Sequence, residues 1–479
     1  MSTRVVRVPT SRLRVGLARV DITPPVGIYH RLWGAATHDV ATGVHRPVTA
    51  EALALAPLGG ADRTVVRVQT DLVGLVREQH AEMVRSIAGG AGVGEADVVL
   101  TFSHSHSAGW FVPDRFTLPG GELIRPYLAE LAEKLRRVAS RAVAELREAT
   151  ISYAVGRCDL AADRDYRDDT EGGYVCGFNP DAPADDTLVV ARITAADGAA
   201  IGTVVNYACH PTTLAWECTV LSPDFVGAMR EEVERATGAP CVYFQGACGD
   251  LGPRHGFQGD PAIADQNGRL LGHAALAALA SLGPPGADFH YTGPVVSGAT
   301  LGVWAYRTHD DARRRETAVF AGETGTVALP YRSAPDPEAM RAELADWLRR
   351  QREAEARGDL LAARDAGAMA ERARRWIARV ADMPPGETYP LPYSVHRLGD
   401  AVWVTCGGEP YSALQTELRR RFADRRLLVS PMAGALQVAY LLPRDRYGLG
   451  LYQEQPSILA PGSLETLTEA LAGRINAFG

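Results

Sequence analysis

Two histidines, His104 and His106, stand two residues apart directly after the apolar run Ala96–Phe102. The run predicts a short buried strand, and residues two apart in an extended chain face the same way. Two imidazoles that point together suit a metal ion, or a metal ion with a proton-transfer partner. Taken alone, the pair is described equally well as two polar histidines of a loop.

A third histidine, His210, follows a second apolar strand, Ile201–Tyr207. A single histidine in that place is more often a hydrogen-bonded structural residue. Together with His104 and His106, however, it forms a set at strand ends, where α/β folds place their sites. The set favours a metal centre over three unrelated structural residues.

Two glycine-rich turns also follow predicted strands. Glu409 lies in a Gly-Gly-Glu-Pro turn after Ala401–Cys406, where a carboxylate either ligates a metal or caps the next helix. The segment Phe244–Pro253, which includes Gly246 and Cys248, lacks the Lys-Ser/Thr ending of a phosphate-binding loop. It is either a turn that lines a pocket or a plain strand-to-loop connection.

Strand-like and helix-like patterns alternate along the chain, which predicts an α/β fold of mixed α+β character. The strands are expected at Thr187–Ile193, Ile201–Tyr207, Pro240–Gln245, Ala401–Cys406 and Leu427–Ser430, and the helices at Pro126–Ala149, Phe225–Ala236, Ala262–Ala280, Ser412–Phe422 and Gly462–Ile475.

The stretch from Pro335 to Val380 is dense in Ala, Arg and Glu, with Trp347 and Leu348 on one periodic apolar face. It predicts a helical hairpin over residues 335–382 that turns near Gly358. The hairpin either covers the body of the molecule or offers a coiled-coil surface to a partner. We expect one domain over residues 1–479 that contains this hairpin.

The composition excludes several classes of protein. The net charge is −7 and Lys134 is the only lysine, so no basic surface predicts nucleic-acid binding. No run of about 18 apolar residues predicts a membrane span, and the N-terminus has no pattern of a secretory signal. Seven scattered cysteines without C-x-x-C spacing fit reduced thiols. These features predict a cytoplasmic protein, and whether it forms a homo-oligomer stays open.

Taken in chain order, eight segments resemble the catalytic domain of the neutral (non-lysosomal) ceramidases. The segments are Gly16–Pro25, Gly43–Pro47, Ser103–Ser107, Asn206–Thr212, Ser222–Gly227, Phe244–Pro253, Gly408–Pro410 and Tyr440–Tyr452. The resemblance implies a ceramidase-like domain with mixed sheets and flanking helices, into which the helical hairpin is inserted. It also implies a zinc-dependent enzyme that hydrolyses an N-acyl bond.

The resemblance also assigns roles to individual residues. It implies zinc ligation by His104, His210, Glu409 and Tyr440. Zinc with an open position lowers the pKa of its water to roughly 7, which supplies hydroxide for attack on an amide. The resemblance makes Tyr452 an oxyanion donor, and His106 and Arg164 further catalytic residues that face the carbonyl or transfer a proton. Contacts with substrate are expected at Gly246, Cys248 and Asp224.

Two departures from the family pattern matter. Ceramidases carry a serine where this chain has Gly246, so a serine nucleophile is not expected there, while a thiol nucleophile at Cys248 stays open. The chain is also expected to lack the C-terminal immunoglobulin-like domain of ceramidases. We therefore expect a zinc amidohydrolase acting on a soluble small-molecule amide rather than on long-chain ceramide. An amide-forming or acyl-transferring enzyme, a cyclase and an inactive metal-binding homologue are the alternatives.

Overall fold

A central eight-stranded sheet organises the molecule, for which a computed structural model describes residues 4–60, 63–170, 172–333 and 336–478. The predicted start of the hairpin, Pro335, and both ends of the predicted domain, residues 1 and 479, lie outside the described residues. In spatial order the strands are Cys241–Gln245, Ala200–Tyr207, Thr187–Ala195, Arg147–Arg157, Thr10–Asp21, Thr49–Ala56, Val65–Thr70 and Val98–Phe102.

The central sheet is curled. Its two outermost pairs are parallel and the inner pairs are antiparallel. The edge strand Cys241–Gln245 contacts Val65–Thr70 and Val98–Phe102 at the other edge. Because of this curl, the carboxyl ends of Val98–Phe102 and Ala200–Tyr207 meet, although the two strands belong to opposite sides of the sheet.

A second sheet packs against one face of the central sheet. Its strands, in spatial order, are Phe320–Pro330, Thr388–Leu398, Ala401–Cys406 and Arg426–Val429. Apolar side chains of both sheets, such as Leu13, Leu53 and Trp403, form the shared core. Arg67 is buried in the same layer and donates hydrogen bonds to Thr405 Oγ1 (2.6 Å) and to a serine of the second sheet.

Helices cover the two outer faces. In the described part of the chain they are α1 Arg77–Ala91, α2 Ile124–Ala144, α3 Phe225–Thr237, α4 Pro261–Ala280, α5 Asp311–Glu316, α6 Pro337–Ala356, α7 Leu360–Ala381, α8 Ala413–Arg421 and α9 Ser463–Ala477. Helices α1–α4 pack on the central sheet, and α8 and α9 pack on the second sheet. The resulting order of helices, sheet, sheet and helices confirms the predicted mixed α/β class.

The predicted hairpin is formed by α6 and α7. Gly358, with φ of 72°, turns the chain, and the side chain of Asp359 accepts a hydrogen bond from the backbone N–H of Ala362 at the start of α7. Helix α7 packs on the body of the molecule, where Ala368 lies against Gly34. This contact of α7 agrees with the covering role expected from the sequence.

Short strands complete the structure. They are paired as Val5–Val6 with Ala287–Val296 and Thr300–Thr308, Gly43–Val44 with Val220–Leu221, Ala161–Asp163 with Leu251–Pro253, Asp165–Asp168 with Gly173–Cys176, and Glu409–Pro410 with Tyr440–Leu441.

The predicted helix Pro126–Ala149 corresponds to α2, which begins at Ile124 and ends at Ala144. The predicted end is too late, because the β-branched and aromatic residues after Leu146 join the central sheet. No helix within the described ranges combines the length and apolarity needed to cross a membrane.

Candidate metal centre and substrate cavity

His104 occupies a strained turn immediately after the edge strand Val98–Phe102. Its backbone has φ of 70°, in the left-handed region that residues other than glycine seldom adopt. Its backbone N–H donates to the carbonyl of Leu72 (3.1 Å), and its Nδ1 lies 2.6 Å from the carbonyl oxygen of Val73. The Nδ1 contact leaves Nε2 as the nitrogen that is available to a ligand.

His210 is held in the same manner at the end of Ala200–Tyr207. Its Nδ1 lies 3.1 Å from the carbonyl oxygen of Cys248, while Nε2 is buried without a hydrogen-bond partner among the described residues. The ring centres of His210 and His104 are 4.8 Å apart. A backbone carbonyl on the other ring nitrogen is the usual support of a metal-binding histidine, because it fixes the tautomer and the ring orientation.

Glu409 reaches these histidines from the second sheet. Gly408 has φ of 74°, and a Cβ there would lie 2.6 Å from a methyl carbon of Leu441, so glycine is needed at this turn. Glu409 itself pairs with Tyr440 in a short parallel ladder. Helix α8 begins later, with Ser412 as its N-cap, so the alternative that Glu409 caps this helix is wrong.

The three side chains converge on one point. Oε2 of Glu409 lies 3.4 Å from Nε2 of His104 and 3.4 Å from Nε2 of His210. Glu409 Oε2 is buried and, in the part of the chain that is described, accepts no hydrogen bond. Two imidazole nitrogens and a carboxylate oxygen that face each other without hydrogen bonds fit a divalent cation that prefers mixed nitrogen and oxygen ligands.

The protonation states also suit a cation. Burial raises the pKa of Glu409, but the opposing charges of His104, Arg164 and Arg379 outweigh burial and hold that pKa below its ordinary value. Burial and the charge of Arg164 keep the pKa of His210 well below its ordinary value. Near neutral pH the carboxylate of Glu409 is therefore ionised and the imidazole of His210 neutral, which are the forms that bind a metal.

His106 joins the same cluster from its open side. Its ring centre lies 5.0 Å from that of His104 and 5.3 Å from that of His210, and both of its nitrogens lack described partners. The ligand atoms of the three histidines all lie within 4.8 Å of one another. Burial and neighbouring positive charge keep the pKa of His106 well below its ordinary value, so the ring is neutral. The expected convergence with His104 is present, but it arises from the left-handed turn and not from an extended chain.

Tyr440 and Arg164 form the next layer. The guanidinium carbon of Arg164 lies 5.3 Å from the ring centre of Tyr440, and Arg164 donates a hydrogen bond to the carbonyl of Gly249 (2.7 Å). Burial and the carboxylate of Glu409 raise the pKa of Tyr440 well above its ordinary value, against the opposing effect of Arg164. Arg164 therefore lies behind Tyr440 and is not among the residues that line the cavity.

Tyr452 lies on the open side of the centre. It begins a short 3₁₀ turn, Tyr452–Glu454, and its side chain is 48% exposed, which is unusual for an aromatic residue beside a buried cluster. Its ring centre is 5.9 Å from that of Tyr440. The next residue, Gln453, anchors the turn by donating a hydrogen bond to Oδ1 of Asp165 (2.7 Å).

His104, His106 and Glu409 of this cluster line a cavity of about 430 Å³, whereas His210 is not among its lining residues. This volume suits a small molecule. His104, His106, Glu409, Tyr440 and Tyr452 line the floor. The walls come from the segment 110–115, from helix α7 and from residues 436–439.

Solved structures of ceramidases share the fold of this chain. The neutral ceramidase of Pseudomonas aeruginosa aligns with a TM-score of 0.63 and 17% identity, over 98% of this chain and 75% of that chain. A ceramidase complexed with C2 gives the same values. This chain has the ceramidase fold. No family model and no curated protein matches the sequence. The fold expected from the eight sequence segments is therefore confirmed.

Within the ceramidase fold, the three residues assigned to substrate do not line the cavity. A Cβ on Gly246 would lie 2.8 Å from the Cβ of Ala208, so this position is closed even to a small side chain. Cys248 is buried, accepts a hydrogen bond from Gln245 Nε2 at 2.7 Å, and has its thiol pKa raised by burial. A thiolate nucleophile at Cys248 is therefore disfavoured.

Asp224 is likewise engaged in the local structure. Its carboxylate accepts hydrogen bonds from the backbone N–H groups of Phe225 (2.6 Å) and Leu214 (2.9 Å) at the start of α3. The placement of Gly246, Cys248 and Asp224 supports packing roles around the metal ligands and gives no support to the prediction that they bind substrate.

The cavity also contains residues that were not singled out in the sequence. Trp110 and three arginines, Arg115, Arg375 and Arg379, are among the described residues that line it. The four-residue spacing of Arg375 and Arg379 on a predicted helix places both side chains on one face. That spacing is the signal in the sequence that could have identified the two arginines.

Proposed function

We propose that this chain is a zinc-dependent amide hydrolase. The observation that carries the proposal is the convergence of His104 Nε2 and His210 Nε2 on Glu409 Oε2 at 3.4 Å each, with His210 Nε2 and Glu409 Oε2 buried and without a hydrogen-bond partner among the described residues. The ceramidase fold supports the reaction class, because the solved structures that share it are ceramidases. Two nitrogens and one carboxylate oxygen, with Tyr440 adjacent, match the ligand types of catalytic zinc sites.

When bound, zinc would supply a water of lowered pKa and would polarise the carbonyl of the amide. The chain's own residues then handle the protons and the developing charge. His106 is neutral and lines the cavity beside the ligands, so it can accept a proton from the attacking water and return it to the leaving amine. Tyr452 lines the cavity, and its hydroxyl can donate a hydrogen bond to the carbonyl oxygen as negative charge develops.

Arg164 and Tyr440 have a supporting role in this proposal. The guanidinium of Arg164 lies against the Tyr440 ring and is anchored by the carbonyl of Gly249. Its charge favours the ionised phenol, which is the form that binds a metal, whereas burial and Glu409 favour the neutral phenol. Tyr440 is therefore a weaker ligand than the histidines and the carboxylate.

Elemental analysis of the purified protein tests the metal centre. We expect about one zinc ion per chain. His210→Ala should lose most of this zinc, whereas His273→Ala, at an exposed position of α4, should retain it. Full zinc content in His210→Ala would contradict the proposed ligand set. Hydrolysis of simple N-acyl amines, lost together with the zinc, would support the reaction class.

A further inference from the structure

Three arginines line the cavity wall, and they differ in whether a carboxylate is paired with them. Arg115 and Arg375 share Glu371, which lies 2.5 Å from Arg115 Nη2 and 2.7 Å from Arg375 Nε, and Arg115 also lies 3.4 Å from Asp114. Arg375 also donates to the backbone carbonyl of Leu32. These two arginines therefore hold helix α7 on the body of the molecule, and each already has a carboxylate partner.

Arg379, one turn further along α7, is different. Its Nη1 donates to the backbone carbonyl of Pro456 (2.8 Å), and no carboxylate lies within ion-pair distance of it in the described ranges. Arg379 lines the same cavity as Glu409 and Tyr452, so its charge faces the space above the candidate metal centre. The surroundings disfavour that charge, because burial lowers the pKa of Arg379.

Of the acidic residues that line the described part of the cavity, which are Glu78, Asp114, Asp382 and Glu409, none forms an ion pair with Arg379. Asp382 is 3.2 Å from Arg77 and also accepts a hydrogen bond from Gln437. Asp114 pairs with Arg115 at 3.4 Å. Glu409 faces two histidines, and in the proposed enzyme its charge is taken up by the metal. A guanidinium that is held in place but not paired is well suited to receive an anion from outside.

We propose that Arg379 binds a carboxylate of the substrate, so that the enzyme acts on amides that carry a carboxylate close to the scissile bond. The inference rests on the proposed amide hydrolysis and narrows its substrate class. A guanidinium and a carboxylate form two parallel hydrogen bonds, which fixes the position of the amide over the metal centre. A neutral substrate such as ceramide would cover the half-buried Arg379 without pairing its charge, and covering an unpaired charge is costly.

Three amides of one skeleton test this. N-acetylphenylalanine carries the carboxylate on the amine side, N-succinyl-2-phenylethylamine carries it on the acyl side, and N-acetyl-2-phenylethylamine is neutral. We would measure kcat/KM for each with the zinc-loaded enzyme and Kd for each with the metal-free protein by calorimetry. The variants are Arg379→Gln, Arg379→Lys and the control Arg364→Gln, at a position of α7 whose side chain pairs with Asp365 and does not line the cavity.

We expect the wild-type protein to prefer one of the two carboxylates over the neutral amide by about 30-fold or more, the range for truncating a buried charge pair. Arg379→Gln should abolish this preference, Arg379→Lys should retain part of it, and Arg364→Gln should retain all of it. Equal Kd for charged and neutral amides in the wild type, or an undiminished preference in a folded Arg379→Gln variant, would overturn the inference. Hydrolysis of all three amides without preference would overturn it while leaving amide hydrolysis intact. A preference in Kd without hydrolysis would support the binding role and contradict the proposed reaction.

Discussion

Nε2 of His104 lies 3.4 Å from a carboxylate oxygen of Glu409, although one residue follows an edge strand of the central sheet and the other follows a strand of the second sheet. The contact exists only when the two sheets are packed through their shared core. Metal binding at this point is consequently coupled to the packing of the sheets, and a bound metal should stabilise the folded chain.

His106→Ala separates a proton-transfer role from a ligand role. We expect the variant to keep its zinc and to lose about 10²–10⁴ in kcat, because proton transfer by a side chain contributes that much. Zinc content and kcat measured on the same preparation check this. Loss of zinc would instead make His106 a third imidazole ligand, which its place within the 4.8 Å cluster allows.

Tyr452→Phe removes a hydroxyl from the open side of the metal centre without removing a ring from the packing. We expect kcat to fall by about 10²–10³, the cost of losing one oxyanion donor, while zinc content stays the same. Steady-state kinetics on an N-acyl amine measure the effect. Tyr447→Phe is the matched control, since Tyr447 does not line the cavity. A change in kcat smaller than about threefold would remove Tyr452 from the proposed mechanism.

Gly246→Ser introduces the residue that the resemblance to ceramidases leads us to expect at this position, and it should be harmful here. Its Cβ would lie 2.8 Å from Ala208 Cβ and 2.9 Å from Ala208 Cα, so backbone must shift. Overpacking of this kind costs about 1–3 kcal/mol, which a lower melting temperature would reveal. Gly473→Ser, with no atom within 4 Å of the added Cβ, is the control. An unchanged melting temperature with increased activity would contradict the packing argument.

His396 makes stability depend on pH. Burial and the charge of Arg67 lower its pKa to about 3, whereas a histidine in the unfolded chain has a pKa of about 6.5. Below about pH 6.5 the unfolded chain binds the additional proton, so stability falls as the pH decreases toward 3, by up to about 1.4 kcal/mol per pH unit. Above pH 6.5 this residue has no such effect.

Thermal unfolding of metal-free protein between these pH values measures the slope. Chelation is needed because acid also releases metals from histidines. His396→Gln should reduce the slope, and His273→Gln, at an exposed position, should leave it unchanged. An identical slope in the wild type and in His396→Gln would show that His396 is not the residue responsible.

Much of the fold could be predicted because its strands are buried on both faces. One face of the strand Ala401–Cys406 packs into the core between the two sheets, and the other face packs under helices α8 and α9. All six of its residues are therefore buried, and the predicted bounds agree with the structure. The three histidines were found for a related reason. Each follows an apolar run that predicts a buried strand, and a titratable residue at the end of such a strand is a recognisable sign of a functional site.

Other features leave no such pattern. The hairpin strands Ala287–Val296 and Thr300–Thr308 are largely exposed, so no alternation of apolar residues marks them. The curl that joins the two edges of the central sheet and the left-handed backbone of His104 depend on tertiary packing. The significance of Arg379 depends on which carboxylates lie near it, and sequence spacing does not show this.

The helical hairpin leaves and re-enters the molecule between two paired neighbours, since Pro330 at the end of one strand lies opposite Thr388 at the start of the next. Its two attachment points are thus held together by sheet pairing that does not involve the hairpin. Insertions or replacements in this segment can therefore occur without a change in the strand order of either sheet and without displacing His104, His210 or Glu409. Chains of this architecture can therefore acquire new selectivity from the α6–α7 segment while they inherit one unchanged reaction centre.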